Sequence, residues 1–271
     1  MGFLHLPGLG KVHFHEYGNG QKALLAFHGY GMTGKQFQVL EQSILPEYTV
    51  YGFDHFFHGE STLSGWTEQQ ILNGMPKAAV KSYVEEWFKV MGRQRFSVMG
   101  YSIGANMALI LVEEFADLID EIILMAPDGL SVYKGFSFLG HNRVGKYIFA
   151  RLTKSKWLAP AMLKALKKIS FIDDSLYTIA YSETDTPQKR LDVYYTLNLL
   201  RLLKPDTDKI AVLINQHTIK CRLIFGKHDQ LFPLPNAGNF IGKLNKVRID
   251  EVSLGHWLVT PDLDEYLVNN K

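Results

Sequence analysis

The sequence has little of several features that mark particular classes of protein. Its 271 residues include one cysteine, Cys221, so an internal disulfide cannot form. Basic and acidic residues number 29 and 27, which leaves a formal net charge of only +2. Such a balance gives no overall basic field that would attract a nucleic acid. We therefore expect no nucleic-acid partner.

Long apolar runs are also missing. The longest ones, such as MALILV at 107–112, fall far short of the about 20 residues that cross a bilayer. Residues 1–25 lack a basic start followed by an apolar core of signal-peptide length. Together with the single cysteine, these features lead us to expect a cytoplasmic location.

The chain does contain regularly spaced apolar segments. VHFHEY at 12–17 alternates like a half-exposed strand, and shorter blocks are apolar on both faces, which is typical of a buried parallel sheet. We predict strands at 12–17, 23–27, 50–53, 96–99, 122–125, 222–225 and 247–252.

Segments with helical periodicity lie between these blocks, at 34–44, at 78–92 and after Ser102, with a last one near the C-terminus. The alternation predicts an α/β fold with a mostly parallel central sheet and helices on both faces. Residues 130–217 instead contain only helix-like stretches, such as 157–169 and 191–203. We predict a helical lid at 130–217, inserted into a core of residues 1–129 and 218–271.

GYSIGAN at 100–106 lies where an apolar block gives way to a helix-like stretch. Its serine, Ser102, could cap a helix, cradle a phosphate or act as a nucleophile. In a tight strand-to-helix turn, small residues such as Gly100 and Gly104 avoid clashes, and the helix directs N–H groups towards a developing anion.

A nucleophilic serine needs a base and an orienting acid. Asp229 follows the block RLIF, and His256 follows the strand-like VRIDEV. Both are expected on loops at the carboxyl edge of the sheet, where Ser102 lies. Asp128 also follows a predicted strand, so a second acid is available.

These spaced motifs resemble the α/β-hydrolase superfamily, and within it the lid-bearing, esterase-like serine hydrolases. The resemblance runs from about residue 12 to the C-terminus, with 130–217 matching only as a variable cap. It implies Ser102 as the nucleophile, His256 as the base and Asp229 as the acid. Some hydrolases of this fold take the acid from the position of Asp128, but the Gly-x-x-Asp context of Asp229 is the commoner arrangement.

The resemblance extends to two loops. FHGYG at 27–31 contains the family's His28-Gly29 pair, which implies that the backbone N–H groups of Tyr30 and Ile103 form the oxyanion hole. FDHFFHGES at 53–61 resembles an Asp-x-x-Gly-x-Gly-x-Ser loop, with Phe57 in place of its first glycine. We assign this second loop a structural role.

Other kinds of site are weakly indicated. GYGMTGKQ at 29–36 approaches a P-loop, but Gln36 stands where a serine or threonine hydroxyl would bind magnesium. His13 with His15, and His55 with His58, could bind a metal, although no cysteine or carboxylate stands at familiar ligand spacing. We therefore predict neither a metal nor another cofactor.

The resulting hypothesis is a serine hydrolase that cleaves a carboxylic ester or thioester through an acyl-enzyme. Carbon–carbon hydrolysis or a lyase reaction with the same triad stays open, as does a non-catalytic binding protein. The segment between His141 and Ser170 carries eight basic and no acidic residues. We interpret the basic side chains as a solvated outer face, and we expect the apolar residues between them to face the pocket: Trp157, Leu158, Met162, Leu163, Leu166 and Ile169. Recruitment of an anionic acyl substrate is left open, and contact with a membrane surface is not favoured.

Overall fold

The computed structural model describes residues 2–130, 151, 155, 157–168 and 174–270. Its described part contains nine strands in one sheet. They are β1 (Gly2–Leu6), β2 (Gly10–Tyr17), β3 (Lys22–Phe27), β4 (Tyr48–Phe53), β5 (Thr62–Leu63), β6 (Phe96–Tyr101), β7 (Ile119–Met125), β8 (Lys220–Gly226) and β9 (Arg248–Val252).

The strand order is β1-β2-β4-β3-β6-β7-β8-β9, with β5 paired to β2. Strands β4, β3, β6, β7, β8 and β9 are mutually parallel, whereas β2 runs antiparallel to β1 and β4. The predicted α/β class with a mostly parallel sheet is confirmed. Strands β1 and β5 were not predicted.

Both faces of the central strands are buried, because successive residues point to opposite sides. In β3, Leu24 belongs to one apolar cluster and Leu25 to the other, and both are fully buried. Large rings such as Tyr83 and Trp87 fill the cluster of Leu25, and Phe37 lies in the cluster of Leu24. This two-sided burial explains the uninterrupted apolar blocks in the sequence.

Helices cover the two faces. They are α1 (Glu68–Asn73), α2 (Lys81–Met91), α3 (Gly104–Phe115), α4 (Leu158–Lys168), α5 (Asp174–Ser182), α6 (Pro187–Leu200), α7 (Thr207–Gln216), α8 (Gly238–Ile241) and α9 (Pro261–Asn269). Short 3₁₀ turns occupy Gln36–Val39, Lys77–Val80, Ala116–Leu118 and Leu234–Ala237. Helix α7 packs on α3, and α6 packs on α1.

The helix expected at 34–44 is wrong, because only the 3₁₀ turn Gln36–Val39 forms there. Phe37, Leu40 and Ile44 are buried at helix-like spacing, which explains the misleading periodicity. The carboxylate of Asp264 in α9 accepts the N–H of Gln42 at 3.0 Å and that of Ser43 at 2.8 Å. These N–H groups therefore bond outside the segment instead of continuing a helix.

The segment 130–217 is partly described. In its described residues, α4 to α7 are present and strands are absent. Within and beside α4, Leu163 is buried as expected, but Trp157 and Leu158 are exposed, at 81% and 50%. The inward orientation predicted for those two residues is wrong. Arg143, Lys146, Lys154 and Lys156 of the basic segment lie outside the described residues.

Among the described residues, every helix is too short or too polar to cross a lipid bilayer.

Candidate active site

Ser102 lies in the turn between β6 and α3, and its backbone adopts φ +52°. A non-glycine residue rarely takes this left-handed conformation unless its surroundings hold it there. The end of β7 and the loop after it do so: Met125 O accepts the Ser102 N–H at 2.9 Å, and Asp128 N–H donates to Ser102 O at 3.2 Å. The turn therefore presents the Ser102 hydroxyl at the carboxyl end of the sheet.

Close packing explains the glycines around Ser102. A Cβ on Gly104 would lie 2.1 Å from Phe27 O, and one on Gly100 would lie 2.6 Å from Ala105 Cα. Neither approach is sterically possible without moving backbone, so α3 can start against the end of β3 only with glycine at both positions.

The structure brings Ser102, His256 and Asp229 into one hydrogen-bonded row. Ser102 Oγ lies 3.0 Å from His256 Nε2, and His256 Nδ1 lies 2.9 Å from Asp229 Oδ2. All three residues are buried, with Ser102 the most exposed of them at 8%. In this geometry Nδ1–H donates to the carboxylate, and Nε2 is left to accept the hydroxyl proton.

Asp229 is held as an acceptor. Its Oδ1 accepts the backbone N–H of Leu231 at 2.8 Å and that of Phe232 at 3.1 Å. Burial by itself would raise the pKa of Asp229, but the hydrogen bond and charge of His256 and these two N–H groups outweigh burial and lower that pKa. The carboxylate is therefore ionised at neutral pH with its other oxygen facing the imidazole.

Asp128 has a different partner. Its Oδ2 accepts a hydrogen bond from Asn106 Nδ2 at 2.9 Å. Burial raises the pKa of Asp128 although this hydrogen bond opposes the shift. Asp128 thus stabilises the loop that is hydrogen-bonded to the Ser102 backbone, whereas Asp229 is hydrogen-bonded to His256.

Two aromatic residues that the sequence did not single out fix the imidazole. The Tyr101 ring stacks on His256 with centroids 5.5 Å apart, and its hydroxyl donates to His256 O at 2.7 Å. Phe232 lies on the same ring at 5.5 Å. Tyr101 is the variable residue of the Gly-x-Ser-x-Gly pattern, so no local signal could have identified this contact.

The loop after β3 places Tyr30 near the Ser102 turn. Gly29 lies against the Tyr101 ring, since a Cβ there would be 2.5 Å from that ring. Within the described part of the chain, neither the Tyr30 N–H nor the Ile103 N–H donates to a protein acceptor. Glu183, in the segment 130–217, lies against the next residue, Gly31, where a Cβ would be 3.0 Å from Glu183 Cγ.

The loop of residues 53–61 keeps a turn that normally suits glycine. Phe57 has φ +67° in the position of the missing glycine. Its ring packs on Tyr195 of α6 at 5.4 Å, a contact that glycine could not make. The departure from the family pattern therefore preserves the turn and adds packing against α6.

One group within the described residues has the proximity of a metal site: His13, His15 and Asp54. Each imidazole instead lies at hydrogen-bond distance from the carboxylate, His13 Nδ1 at 2.9 Å and His15 Nε2 at 3.1 Å. Asp54 also accepts the N–H of Gly34 at 2.7 Å and of Glu60 at 3.2 Å. Hydrogen-bond donors therefore stabilise the buried carboxylate of Asp54. Sequence reasoning had paired the two histidines without identifying Asp54 as their partner.

The P-loop-like segment cannot cradle a phosphate in this structure. The Gly29 N–H donates to Gln36 Oε1 at 3.0 Å, and the Gly34 N–H donates to Asp54. A P-loop presents such N–H groups to phosphate oxygens and starts a helix, whereas here only a 3₁₀ turn follows.

Comparisons with known proteins agree with this architecture. Residues 22–138 match the model of the family described as alpha/beta hydrolase fold. Abhydrolase domain-containing protein lid-1 of Caenorhabditis elegans is 25% identical over 163 residues, which are 55% of this chain and 43% of that protein. An uncharacterized protein of Mycobacterium tuberculosis is 23% identical over 111 residues, 40% of this chain and 30% of that protein. The chain thus spans less than half the length of these curated relatives.

Solved structures superpose over nearly the whole chain. A thermophilic esterase from Thermogutta terrifontis has a TM-score of 0.67 at 12% identity, covering 99% of this chain and 95% of its own. An esterase from Exiguobacterium antarcticum has a TM-score of 0.66 at 18% identity, with coverage of 100% and 98%. At such identities the likeness establishes the fold. The sheet order, the match of residues 22–138 to this family model and these superpositions together show that the chain has the α/β-hydrolase fold.

Proposed function

We propose that the protein is a serine hydrolase that cleaves a carboxylic ester or thioester. The observation that carries this proposal is the buried row from Ser102 Oγ through His256 to Asp229, with hydrogen bonds of 3.0 and 2.9 Å. The family match supports hydrolase chemistry in general. Structurally similar proteins include two esterases and a thioesterase domain, and their activities suggest which substrates to test first.

The chemistry follows from the roles that this row allows. Ser102 Oγ attacks the acyl carbon while His256 Nε2 takes the hydroxyl proton, and the same proton then goes to the departing alkoxide or thiolate. Water attacks the acyl-enzyme with His256 again as the base, which releases the acid and restores Ser102. Asp229 keeps Nδ1 protonated and stabilises the imidazolium that forms in each step.

Two backbone donors are proposed to stabilise the tetrahedral oxyanion. The Tyr30 N–H lies in the loop after β3, and the Ile103 N–H lies at the start of α3, where the helix dipole adds to the attraction. Neither has a protein acceptor within the described residues. Removing a single donor of this kind costs about 10²–10³ in kcat.

Residues 130–217 are proposed to form a lid that limits access to Ser102. Glu183 lies against Gly31 and Tyr195 packs on Phe57, so the described part of this segment contacts both loops beside the site. The lid would then set the acyl group accepted.

Turnover and covalent labelling test the proposal. Purified protein is assayed on p-nitrophenyl esters and thioesters graded by acyl length and head-group charge, with a β-diketone to report carbon–carbon cleavage. A fluorophosphonate probe should label Ser102. Ser102→Ala should lose labelling and at least about a thousandfold in kcat while its Tm stays unchanged.

Ser82→Ala serves as the control, since Ser82 lies in α2 and its hydroxyl only donates to Ala79 O. Near-normal turnover by folded Ser102→Ala would refute the proposed nucleophile. Absence of labelling and turnover in the wild-type protein would favour the non-catalytic binding protein.

A further inference from the structure

Three histidines lie in and beside the loop that carries Tyr30: His28 and His55 are buried, and His58 is half-buried. The ring of His28 lies 4.3 Å from that of His55 and 5.2 Å from that of His58, centroid to centroid. Burial lowers the pKa of all three below the usual histidine value. These rings are therefore neutral at pH 7, and each has one N–H donor and one nitrogen acceptor.

The partners of His58 assign its two nitrogens. Nδ1 lies 3.2 Å from Phe56 O, which can only accept, so Nδ1 carries the hydrogen. Nε2 lies 3.2 Å from the backbone nitrogen of Gly31, which can only donate, so Nε2 is the bare acceptor. A proton on Nε2 would set two donors against each other and break this contact.

Gly31 directly follows Tyr30, so this hydrogen bond fixes the peptide beside the proposed oxyanion donor. The Tyr30 ring also meets the His58 ring edge to face, with centroids 5.1 Å apart. On the other side of His28, His55 Nε2–H donates to His28 O at 2.9 Å, and the His55 N–H donates to His28 Nε2 at 3.0 Å. Residues 28–31 are thus anchored at both ends by the loop of residues 53–61.

We propose that His58 is a positioning residue of this site: its neutral imidazole accepts the Gly31 N–H and thereby aims the Tyr30 N–H at the oxyanion. The inference rests on the proposed function. An oxyanion donor acts only over hydrogen-bond distances. If the loop shifts when it loses this hydrogen bond, the Tyr30 N–H no longer stabilises the oxyanion of the transition state. Loss of the anchor should therefore lower kcat and leave KM nearly unchanged.

Two substitutions separate positioning from simple packing. In His58→Gln the amide oxygen can occupy the place of Nε2 and still accept from Gly31. In His58→Asn the shorter amide reaches only the place of Nδ1, so it can keep the Phe56 contact but not the Gly31 contact. His5→Asn is the control, because His5 is exposed on β1.

We expect His58→Asn to lower kcat by about 10- to 100-fold with KM changed less than about threefold. His58→Gln and His5→Asn should both stay within about threefold of wild-type kcat. Equal losses in His58→Asn and His58→Gln, or a loss confined to KM, would overturn the positioning role.

Nitrogen-15 NMR of the wild-type protein gives a test that needs neither a variant nor activity. The Nδ1–H tautomer of His58 at pH 7, with a coupling across the Gly31 N–H to Nε2 hydrogen bond, is expected. An Nε2–H tautomer or an imidazolium at pH 7 would overturn the inference. A wild-type protein with this tautomer but no esterase turnover would instead refute the proposed function and leave the hydrogen bond established.

Discussion

Replacing Asp229 with asparagine tests the triad with almost no change in shape. Asp229 Oδ1 accepts the N–H groups of Leu231 and Phe232, so the asparagine must keep its oxygen there. Its NH₂ group then faces His256 Nδ1, where Asp229 Oδ2 now lies 2.9 Å away. Because the NH₂ group can only donate, His256 Nδ1 must become the acceptor and His256 Nε2 must carry the hydrogen. His256 would then donate to Ser102 instead of accepting its proton.

The wrong tautomer removes the base without removing a side chain. We expect kcat to fall by about 10⁴-fold, which corresponds to about 5.5 kcal/mol of transition-state stabilisation. Because the two N–H contacts to the side-chain oxygen persist, Tm should change little. Fluorophosphonate labelling should slow in parallel, since it uses the same activated hydroxyl.

Asp128→Asn is the matched control, with the same change in charge and size. The asparagine oxygen can still accept from Asn106 Nδ2, which now lies 2.9 Å from Asp128 Oδ2. We expect less than about a tenfold change in kcat for this variant, measured with the same ester. A larger loss in Asp128→Asn than in Asp229→Asn would refute the assignment of the acid, and a mild effect of both would refute the tautomer argument.

Four further substitutions test the stability of the fold. Gly104→Ala should lower the free energy of unfolding by about 3 kcal/mol, because the new Cβ would clash with a backbone oxygen. Gly238→Ala should raise it by about 0.5–1 kcal/mol, because the new Cβ would meet no other atom. Urea unfolding measures both. Burial lowers the pKa of His55 from 6.5 to about 4. Between these two pH values the unfolded state binds more protons than the folded state, so the free energy of unfolding should fall by about 3 kcal/mol as the pH drops from the higher value to the lower. His55→Gln, which can still donate to His28 O, should flatten that pH dependence of Tm, and an unchanged slope would contradict the reasoning. Tyr101→Phe should lose about 1 kcal/mol with its hydrogen bond to His256 O, and an unchanged free energy of unfolding would show that this bond is not stabilising.

Local sequence patterns determined most of the sheet. Blocks apolar on both faces predicted the central strands because a parallel strand buries successive side chains on opposite sides. The Gly-x-Ser-x-Gly pattern predicted the turn of Ser102 because only small residues fit where α3 starts against β3. The strand ends before Asp229 and His256 predicted one shared edge, and the three side chains do meet there. Their catalytic roles stay a prediction.

Contacts between distant segments decided what the sequence could not. The Asp264 carboxylate accepts the N–H groups of Gln42 and Ser43, which lie 222 and 221 residues away in the sequence. These hydrogen bonds form in place of the helix expected at 34–44. Asp54 lies 41 residues from His13, and His58 lies 27 residues from Gly31. Periodicity reports which face of a segment is buried, but it carries no information on which donor or acceptor from elsewhere meets it. The neutral histidine beneath the Tyr30 loop therefore came from the tertiary structure alone. The contact between Asp229 and His256 agrees with the choice that the family resemblance implied.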